Sequence, residues 1–524
     1  MRHPLRAASL AVAFGLVAVA TACSSDDDAT GPSAAAEGAV DAATSGRTTG
    51  GTLRIGLYTD LDRFHPYNNQ AANSNNIQLM QLYDSLFKIS LDGLEVEPSL
   101  ALGAEISDDG RTYTLPLRDG VLFHDGDPMT PEDVKFSVEQ AVASPENGSD
   151  LAAISAVEVG DGNSVVLRLS TPDADILRSL ASMNASIVPL DFNGSETEFE
   201  QHPVGTGPFK FESRTEGASI TFVRNDEYWG DPAILDGIEY TVFPDTNSAS
   251  LAFDAGEVDM LAMVPLQLVD TFDVEPTLIT DATTVMFLMF NARSPKVGTD
   301  PRVRQAISWA IERAALVDGA LGGYGAPATS YIPDGVLPDA EMVDVSSSYD
   351  FDPEAAEALL EEAGAAGLSL KASYSAVASF ETLAAVIQAN LAEIGVDLEL
   401  EPIDRATFQE MLETGTGDWD LSFSGSSGAT ASHFIAFAID TSWWYSGWTP
   451  EKSLAAVEAY RPLDPEDAVG KASALSQWEE YIATDIPVTP LYHPNVAYIL
   501  SASVRNFAIS PIQDAPLELL SVAS

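Results

Sequence analysis

The stretch 284–313 constrains the fold of this chain more than any other. Its first part, 285–290, is an unbroken apolar run that ends at Asn291. Such a run is too short to cross a bilayer, but it suits a strand that is covered on both faces inside an α/β sheet. Beyond a polar loop, Asp300 and Pro301 open a segment whose apolar residues recur at helical spacing. The stretch therefore predicts a buried strand followed by a helix.

The loop between this strand and this helix contains a Ser-Pro pair at 294–295 and a glycine at 298. A strand that leaves one core through such a loop, and is followed by a helix in another core, would let two lobes move against each other. Residues 291–300 are therefore a candidate hinge. A strand-to-helix connection inside one domain fits the stretch equally well. The helical spacing extends to Ala314, so we expect one helix over this segment.

The rest of the chain after Gly50 shows alternating strand and helix patterns. The second half has the clearest βα alternation, which predicts a second sheet of the α/β kind. The region 94–169 shows strands interrupted by one helix that begins after Thr130. Predicted strands cover 52–58, 113–117, 121–124, 165–169, 220–224, 237–243, 370–374 and 396–400, and predicted helices cover 248–255, 383–394 and 464–481.

The amino terminus has the pattern of an exported protein. In residues 1–22, arginines precede an apolar run that ends in small residues, which is typical of a secretory signal peptide. The following Cys23 completes a segment that resembles a bacterial lipobox, although its first position is Ala20 rather than the usual leucine. We therefore expect lipidation at Cys23, with plain cleavage as the alternative. Residues 23–51 are small and polar, and predict a flexible tether.

The charge of the chain excludes some partners. Acidic residues number 79 against 25 basic ones, which gives a formal net charge of -54. Nucleic acid requires a basic surface, and an anionic membrane face would repel this chain. We therefore expect no nucleic-acid partner, and membrane contact only through the lipid anchor. The acidity fits either a solvated shell or a surface that recruits cations.

Several segments of the chain resemble, in the same order, the signature segments of one known family. The central one is FNARSP followed by DPRVRQAISWAIER, within 284–313. The others are LYDSL at 82–86, PSLALGAEISDDGRTYTLPLRDGVLFHDGDPMTPEDV at 98–134, VGTGPF at 204–209, NDEYW at 225–229, AGEVDM at 255–260 and DIPVTPLYH at 485–493. Together they resemble family 5 of the solute-binding lipoproteins, which serve ATP-driven importers of dipeptides, oligopeptides and nickel complexes.

The resemblance implies a fold class and an architecture. The fold is α/β, the two-lobed periplasmic-binding-protein fold of type II and cluster C, with an additional small α+β domain. The implied boundaries are 52–93, 204–293 and 485–524 for lobe I, 94–203 for the small domain, and 294–484 for lobe II. The resemblance also implies an extracytoplasmic lipoprotein on the cell membrane, which closes around a small polar ligand and delivers it to ABC transporter permease subunits. We expect a monomer that holds no cofactor and no metal.

The resemblance also points to a ligand site at a strand end. In the peptide binders of the family, the corresponding strand ends in a Gly-Trp pair, and a following aspartate holds the amino group of the peptide. This chain has Ser424, Gly425 and Ser426 there, with Ser426 at the tryptophan position and Ala429 near the aspartate position. A buried ammonium without a counter-charge is costly, so we do not expect a peptide held by its amino end. Hydroxyls and glycine amides favour an uncharged polar solute such as a sugar.

Other candidate ligand residues are aromatic rings and amides. Adjacent rings at Trp443, Trp444 and Tyr445, with Trp448 nearby, cannot all face one core, so some would reach the cleft and stack on a ligand. An ordinary core position is the alternative. A nickel chelate stays open because His433 and His493 could contact it. The remaining candidates are Asn69, in an amide-rich stretch, and Phe287, Asn291, Tyr331 and Tyr492, which lie in stretches that the family places near its ligand.

We expect no enzyme. The six histidines form no HExxH motif and no pair at metal-ligand spacing. Because the chain has a single cysteine, it can form no intrachain disulfide. Asp418 and Asp420 lie at strand spacing and could imitate the carboxylates of a cleft glycoside hydrolase, which is the weaker alternative. A surface ligand sensor of the same fold, without import, is the other alternative.

Overall fold

The structure is a computed structural model, and it describes most of the chain from Gly50 onward. The described residues are 50–61, 63–67, 72–144, 148–274, 277–279, 283–337, 340–376, 378–414, 416–437, 448 and 451–523. The predicted signal peptide, Cys23 and nearly all of the predicted tether lie outside them. Within these ranges, no helix combines the length and the apolar character that a membrane crossing needs.

The helices and strands follow in chain order. The strands are β1 Thr52–Leu57, β2 Phe87–Ile89, β3 Val96–Pro98, β4 Glu105–Ile106, β5 Thr112–Pro116, β6 Ile154–Val159, β7 Ser164–Leu169, β8 Phe209–Thr215, β9 Ser219–Arg224, β10 Gly237–Val242, β11 Met260–Leu261, β12 Thr277–Ile279, β13 Thr284–Phe290, β14 Gly325–Pro327, β15 Ser369–Ser375, β16 Asp397–Ile403, β17 Leu421–Ser427, β18 Val488–Pro494, β19 Val496–Leu500, β20 Val504–Arg505 and β21 Ser521–Val522. The α-helices are α1 Ala72–Leu79, α2 Pro131–Ala143, α3 Ile176–Ser179, α4 Glu196–Gln201, α5 Thr246–Asp254, α6 Pro301–Ala310, α7 Arg313–Leu321, α8 Pro353–Glu362, α9 Ala378–Glu393, α10 Arg405–Thr414, α11 Ala431–Phe437, α12 Glu451–Tyr460 and α13 Ala468–Asp485.

Three of the sheets organise these elements. The first is seven-stranded, in the order β12-β19-β11-β1-β10-β9-β8. The second is six-stranded, in the order β14-β18-β13-β17-β15-β16, and the third is four-stranded, in the order β4-β5-β7-β6. In the first sheet β1 runs parallel to both β10 and β11, and in the second β15 runs parallel to β16 and β17. The α/β prediction is therefore confirmed.

The strand predicted at the centre of the chain is present as β13. It lies inside the second sheet, where it pairs antiparallel with β17 on one side and β18 on the other. Its core residues are fully buried, with Val285 and Leu288 at 0% exposure. A strand with neighbours on both edges and helices over its faces is shielded on all sides, which explains its continuous apolar run.

The two large sheets do not follow the predicted boundaries between lobe I and lobe II. Because β13 and β18 both belong to the second sheet, residues 284–293 and 485–494 do not join the first sheet as the sequence predicted. The chain passes from the first sheet to the second between β12 and β13, and it returns at Asn495 between β18 and β19. These passages, rather than residues 291–300, connect the two sheets. The apolar run could not show this, since burial on both faces is common to every central strand.

The helix after the central strand is shorter than predicted. Helix α6 begins after Asp300, whose side chain accepts a hydrogen bond from the amide of Arg302, and it ends at Ala310. The buried guanidinium of Arg313 donates to the carbonyl oxygens of Ser308 and Ile311. These carbonyls are therefore satisfied by a side chain instead of a further helical turn, and α7 starts separately at Arg313.

The four-stranded sheet packs against helix α2 and shares its core with the first sheet. Helix α2 opens with a capping box, in which Thr130 and Asp133 bond each other's backbone amides. Buried residues of β5 and β7, such as Leu115 and Val165, belong to the same hydrophobic cluster as Leu53 of β1. The strand predicted at 121–124 is absent; the structure has only an isolated bridge from Leu122 there, because the chain turns at once.

Candidate functional site

The carboxyl end of β17 carries the predicted hydroxyl and glycine residues. Its register against β13 places Ser424 opposite Phe287, Gly425 opposite Met286 and Ser426 opposite Val285. A Cβ at Gly425 would lie 2.6 Å from the sulfur of Met286, so glycine allows the close approach of this side chain.

The sheet brings one distant candidate to this end and places another at the opposite end. Tyr492 of β18 pairs with Met286 of β13, so Tyr492 lies near the end of β17. Asn291 follows the other end of β13, where its amide nitrogen donates to the carbonyl oxygen of Trp419 at 2.8 Å. Because β13 is a seven-residue strand, Asn291 does not join the Ser424–Ser426 group.

Two aromatic candidates lie inside the core of the second sheet. Phe287 and Tyr331 are 1% and 0% exposed, and their ring centroids are 5.5 Å apart. Trp448 also packs against this core, and its indole nitrogen donates to the carbonyl oxygen of Phe290 at 2.9 Å. These rings therefore have packing roles in the structure. Asn69, Trp443, Trp444 and Tyr445 lie outside the described residues.

A histidine of helix α11 packs against the turn that follows β17. The ring of His433 lies against Gly428, where an added Cβ would be 2.4 Å from the ring. Its Nε2 lies 3.4 Å from the hydroxyl of Ser426, and its Nδ1 lies 3.1 Å from the carboxylate of Asp150. Burial opposes the charged ring, but the charge and hydrogen bond of Asp150 outweigh it, so the pKa of His433 is raised. His433 thus links β17 to the region of the small sheet.

Asp175 makes several contacts across this boundary. We call the contacts between residues 150–178, beside the small sheet, and residues 429–471, beside the second sheet, the polar seam. The carboxylate of Asp175 is 5% exposed and accepts hydrogen bonds from the amide of Ser432 at 3.1 Å and the hydroxyl of Tyr460 at 3.0 Å. The ammonium of Lys471 lies 3.4 Å away. The seam is therefore bonded by both backbone and charged groups.

Other residues of the same segment extend the seam. The amide of Ala174 donates to the carbonyl oxygen of Arg461 at 2.9 Å, and Ala174 packs in the core cluster of the second sheet. Burial, followed by the charge of Asp175, raises the pKa of Asp173 to about 6. The Nε of Arg178 donates to the carbonyl oxygen of Ala429 at 2.5 Å, and burial lowers the pKa of this guanidinium.

Sequence reasoning singled out Ala429 and His433 on one side of the seam, but none of its residues between 150 and 178. The segment 171–178 reads TPDADILR, which resembles an ordinary loop and helix start. Its partners lie far along the chain, since Ser432 is 257 positions from Asp175. The sequence signal in this segment is that charged residues stand beside apolar ones such as Ile176, and the structure shows that Ile176 is buried.

Cavities lie near the seam and deeper in the second-sheet region. A groove of about 420 Å³ lies beside the seam, between Leu177 and Ile106 on one side and Asp464 and Glu466 on the other. A smaller cavity of about 150 Å³ is lined by Glu479, whose pKa burial raises to about 7. The carboxylate of Glu479 accepts hydrogen bonds from the backbone amides of Tyr331 and Ile332, so both of its oxygens have partners within the protein. In the described ranges, no group of three or more histidine, cysteine or acidic side chains could hold a metal ion.

Comparison with known proteins decides the family. The family model for bacterial extracellular solute-binding proteins, family 5 Middle, matches residues 95–443. The chain belongs to this family. The family is a substrate-binding, non-catalytic one that works outside the cytoplasm with ABC transporter permeases. The predicted family and the predicted two-lobed fold are therefore confirmed.

Individual family 5 proteins bind different solutes. The oligopeptide-binding protein AppA of Bacillus subtilis strain 168 is 26% identical over 505 residues, which cover 89% of this chain and 90% of AppA. The glutathione-binding protein GsiB of Salmonella typhimurium is 28% identical over 490 residues, which cover 87% of this chain and 90% of GsiB. The structure of AgaA from A. tumefaciens R10 in complex with agropinic acid has 26% identity and a TM-score of 0.75, and covers 90% of this chain and 99% of AgaA. Similarity to these proteins therefore does not identify the ligand of this chain.

Proposed function

We propose that this chain is a lipid-anchored, monomeric solute receptor that traps a small polar solute by hinge closure and delivers it to an ABC importer. The observation that carries the proposal is the polar seam at the carboxyl end of β17. There, residues beside the small sheet bond directly to residues beside the second sheet. Contacts of this kind form when lobes meet, and they separate when lobes part.

The connections between the sheets support a hinge. The main chain passes between the first and second sheets next to β13 and at Asn495. The two sheets also have separate hydrophobic clusters, with Leu53 in one and Leu288 in the other. Two separately packed bodies joined by short connections can rotate without disturbing either core. A solute that contacts both bodies favours the closed arrangement, because only that arrangement offers all of its contacts.

The chemistry of the strand end supports a polar group on the solute that carries no positive charge. Ser424, Gly425 and Ser426 offer hydroxyls and a backbone close to the surface of β17, and Thr430 follows. No acidic side chain occurs between Leu421 and Phe437. A ligand ammonium placed here would find no carboxylate on this segment, and an unpaired buried charge is costly. A peptide-like, sugar or other polar solute without an ammonium at this end therefore fits best.

A solute panel tests the receptor function. The soluble body is screened against sugars, blocked peptides and small organic acids by thermal shift, and every hit is repeated in small-angle scattering. We expect at least one solute to raise the melting temperature and to shrink the radius of gyration together. Binding without compaction in every hit would contradict hinge closure, and turnover of a hit would contradict the receptor function.

The lipid anchor has its own test. Cells that express the full chain are labelled with a radioactive fatty acid, and membrane and soluble fractions are compared. We expect label on the wild-type chain in the membrane fraction, and loss of both label and membrane attachment in Cys23→Ser. An unlabelled wild-type chain would reject the anchor while leaving solute binding untouched.

A further inference from the structure

One arginine of the polar seam has a donor that the seam does not use. The Nε of Arg178 donates to the carbonyl oxygen of Ala429, which lies two positions after β17 ends. The Nη2 of the same guanidinium is buried, and among the described residues it has no hydrogen-bond partner. Buried polar groups are nearly always paired, because an unpaired buried donor costs about 1–3 kcal/mol and more when it is charged. This N–H is therefore available to donate a hydrogen bond to an acceptor atom of a ligand.

The charges around Arg178 limit what that acceptor can belong to. Asp175 and the phenol of Tyr460 are the groups whose charges act on the guanidinium. Asp175 is already engaged by Ser432, Tyr460 and Lys471. The other seam carboxylates also have partners, since Asp150 contacts the ring of His433 and Asp173 lies 3.7 Å from the Nε of Arg461. The Nε of Arg461 likewise has no hydrogen-bond partner among the described residues, but it already faces Asp173, whereas the Nη2 of Arg178 faces no carboxylate oxygen within hydrogen-bond distance. A solute oxygen would satisfy this N–H, whereas a solute ammonium would face a fixed positive charge.

The position of the donor connects it to the solute. Ala429 lies in the turn that follows β17, and the ring of His433 in α11 lies 3.4 Å from the hydroxyl of Ser426, so Arg178 reaches the same end of β17 as the hydroxyl residues. Ligands of sheet-based α/β proteins bind at the carboxyl ends of strands, in the crevice between the parts of the fold. Arg178 comes from the opposite side of the seam. A solute held here would therefore contact both sides at once.

We propose that Arg178 is a specificity-determining residue, whose free N–H binds a carbonyl or carboxylate oxygen of the solute and which excludes solutes that present an ammonium at this end. The proposal rests on the receptor function proposed above, and it adds the chemical class of the group that β17 and the seam receive. Closure brings Arg178 onto the solute, so its selectivity is exerted in the closed form.

Matched solute pairs test the proposal. One pair is glucosamine and N-acetylglucosamine, and the other is a lysine-free tripeptide pool and the same pool after amino-terminal acetylation. Within each pair, only an ammonium is replaced by an acetamide with an acceptor oxygen. Affinities of the mature full chain are measured by calorimetry. We expect the wild-type chain to bind the acetylated member of at least one pair about tenfold more tightly than the free amine.

Variants assign this preference to one side chain. Arg178→Gln should reduce the preference to less than about twofold, and Arg178→Lys, which keeps the charge, should still reject the amines. Arg168→Gln is the matched control, since Arg168 is an exposed arginine of the small sheet paired with Glu158. It should keep the wild-type preference. Melting curves of all variants establish that each is folded, and wild-type closure in scattering establishes the receptor function independently.

The contrary outcomes are distinct. A wild-type preference for the free amines, or an unchanged preference in Arg178→Gln, overturns the role of Arg178 and leaves the receptor function intact. A chain that binds neither member of either pair, while other solutes of the panel induce closure, also overturns the proposal. A chain that no solute of the panel closes rejects the receptor function, and the proposal falls with it.

Discussion

Asp175 gives the most demanding test of the polar seam. Replacing it with alanine removes a carboxylate that is 5% exposed. This carboxylate accepts hydrogen bonds from the amide of Ser432, the hydroxyl of Tyr460 and the ammonium of Lys471. Removing one partner of a buried pair costs about 3–5 kcal/mol, because the other charge is left without compensation. Lys471 keeps the carbonyl oxygen of Ala174 at 3.3 Å, which places the effect near the low end of that range.

In the proposed hinge closure the two sides of the seam meet only in the closed form, so this cost would fall on that form. A loss of about 3 kcal/mol corresponds to a roughly 150-fold weaker affinity for a solute that requires closure. The assay is calorimetry with the solute that the panel selects. Asp175→Asn should lose less, since its amide oxygen still accepts a hydrogen bond. Asp161→Ala, an exposed aspartate of the small-sheet region, is the control. An unchanged affinity in Asp175→Ala would refute the argument that the seam stabilises closure.

Three other variants probe single contacts. Asp150 raises the pKa of His433 above 6.5, so the contact of the two side chains stabilises the fold fully below pH 6.5, and this stabilisation is lost as the pH rises through the folded-state pKa. His433→Gln should remove this part of the pH dependence in melting curves from pH 5 to 9. An unaltered pH profile would contradict it. Arg313→Met should lower the free energy of unfolding by about 3 kcal/mol or more in urea titrations, because several buried carbonyl oxygens lose their donor; a loss under about 1 kcal/mol would show that water replaces it. Gly425→Val should weaken binding of the solute that the panel selects, since its Cβ would lie 2.6 Å from the sulfur of Met286 and would displace that side chain beside the proposed site, and an unchanged affinity in calorimetry would contradict this.

The sequence was sufficient for elements with local signals. The apolar run at 285–290 predicted β13, and the Thr130 and Asp300 caps predicted the starts of α2 and α6. These signals work because burial of a strand and capping of a helix depend on residues that are adjacent in the chain. The end of α6 was missed, since Arg313 fits a helical pattern in sequence and only its long-range bonds reveal the break.

Non-local features were beyond sequence reasoning. Nothing in the run of β13 specifies that β17 and β18 are its neighbours, so the first passage between the sheets was placed too late in the chain and the return too early. Ser424, Gly425 and Ser426 lie in the second half of β17, towards the strand end that the sequence predicted, and their role in binding a ligand stays a prediction. Arg178 was not found, because its contact with Ala429 spans 251 positions. Its role depends on an unpaired atom, which only coordinates can show.

The most direct test of the receptor account is the distance between the lobes while a solute binds. Cys23 is the only cysteine, so in a Cys23→Ser chain two new cysteines can be labelled with dyes. They are introduced as Glu212→Cys in β8 and Glu361→Cys in α8, both at exposed positions. Single-molecule energy transfer is recorded with and without the solute that the panel selects, and the recovered solute is analysed by mass spectrometry. The account predicts a solute-dependent shift to a shorter dye separation and an unchanged solute. A saturating solute that leaves the distance distribution unaltered, or a solute recovered in a chemically different form, would contradict it.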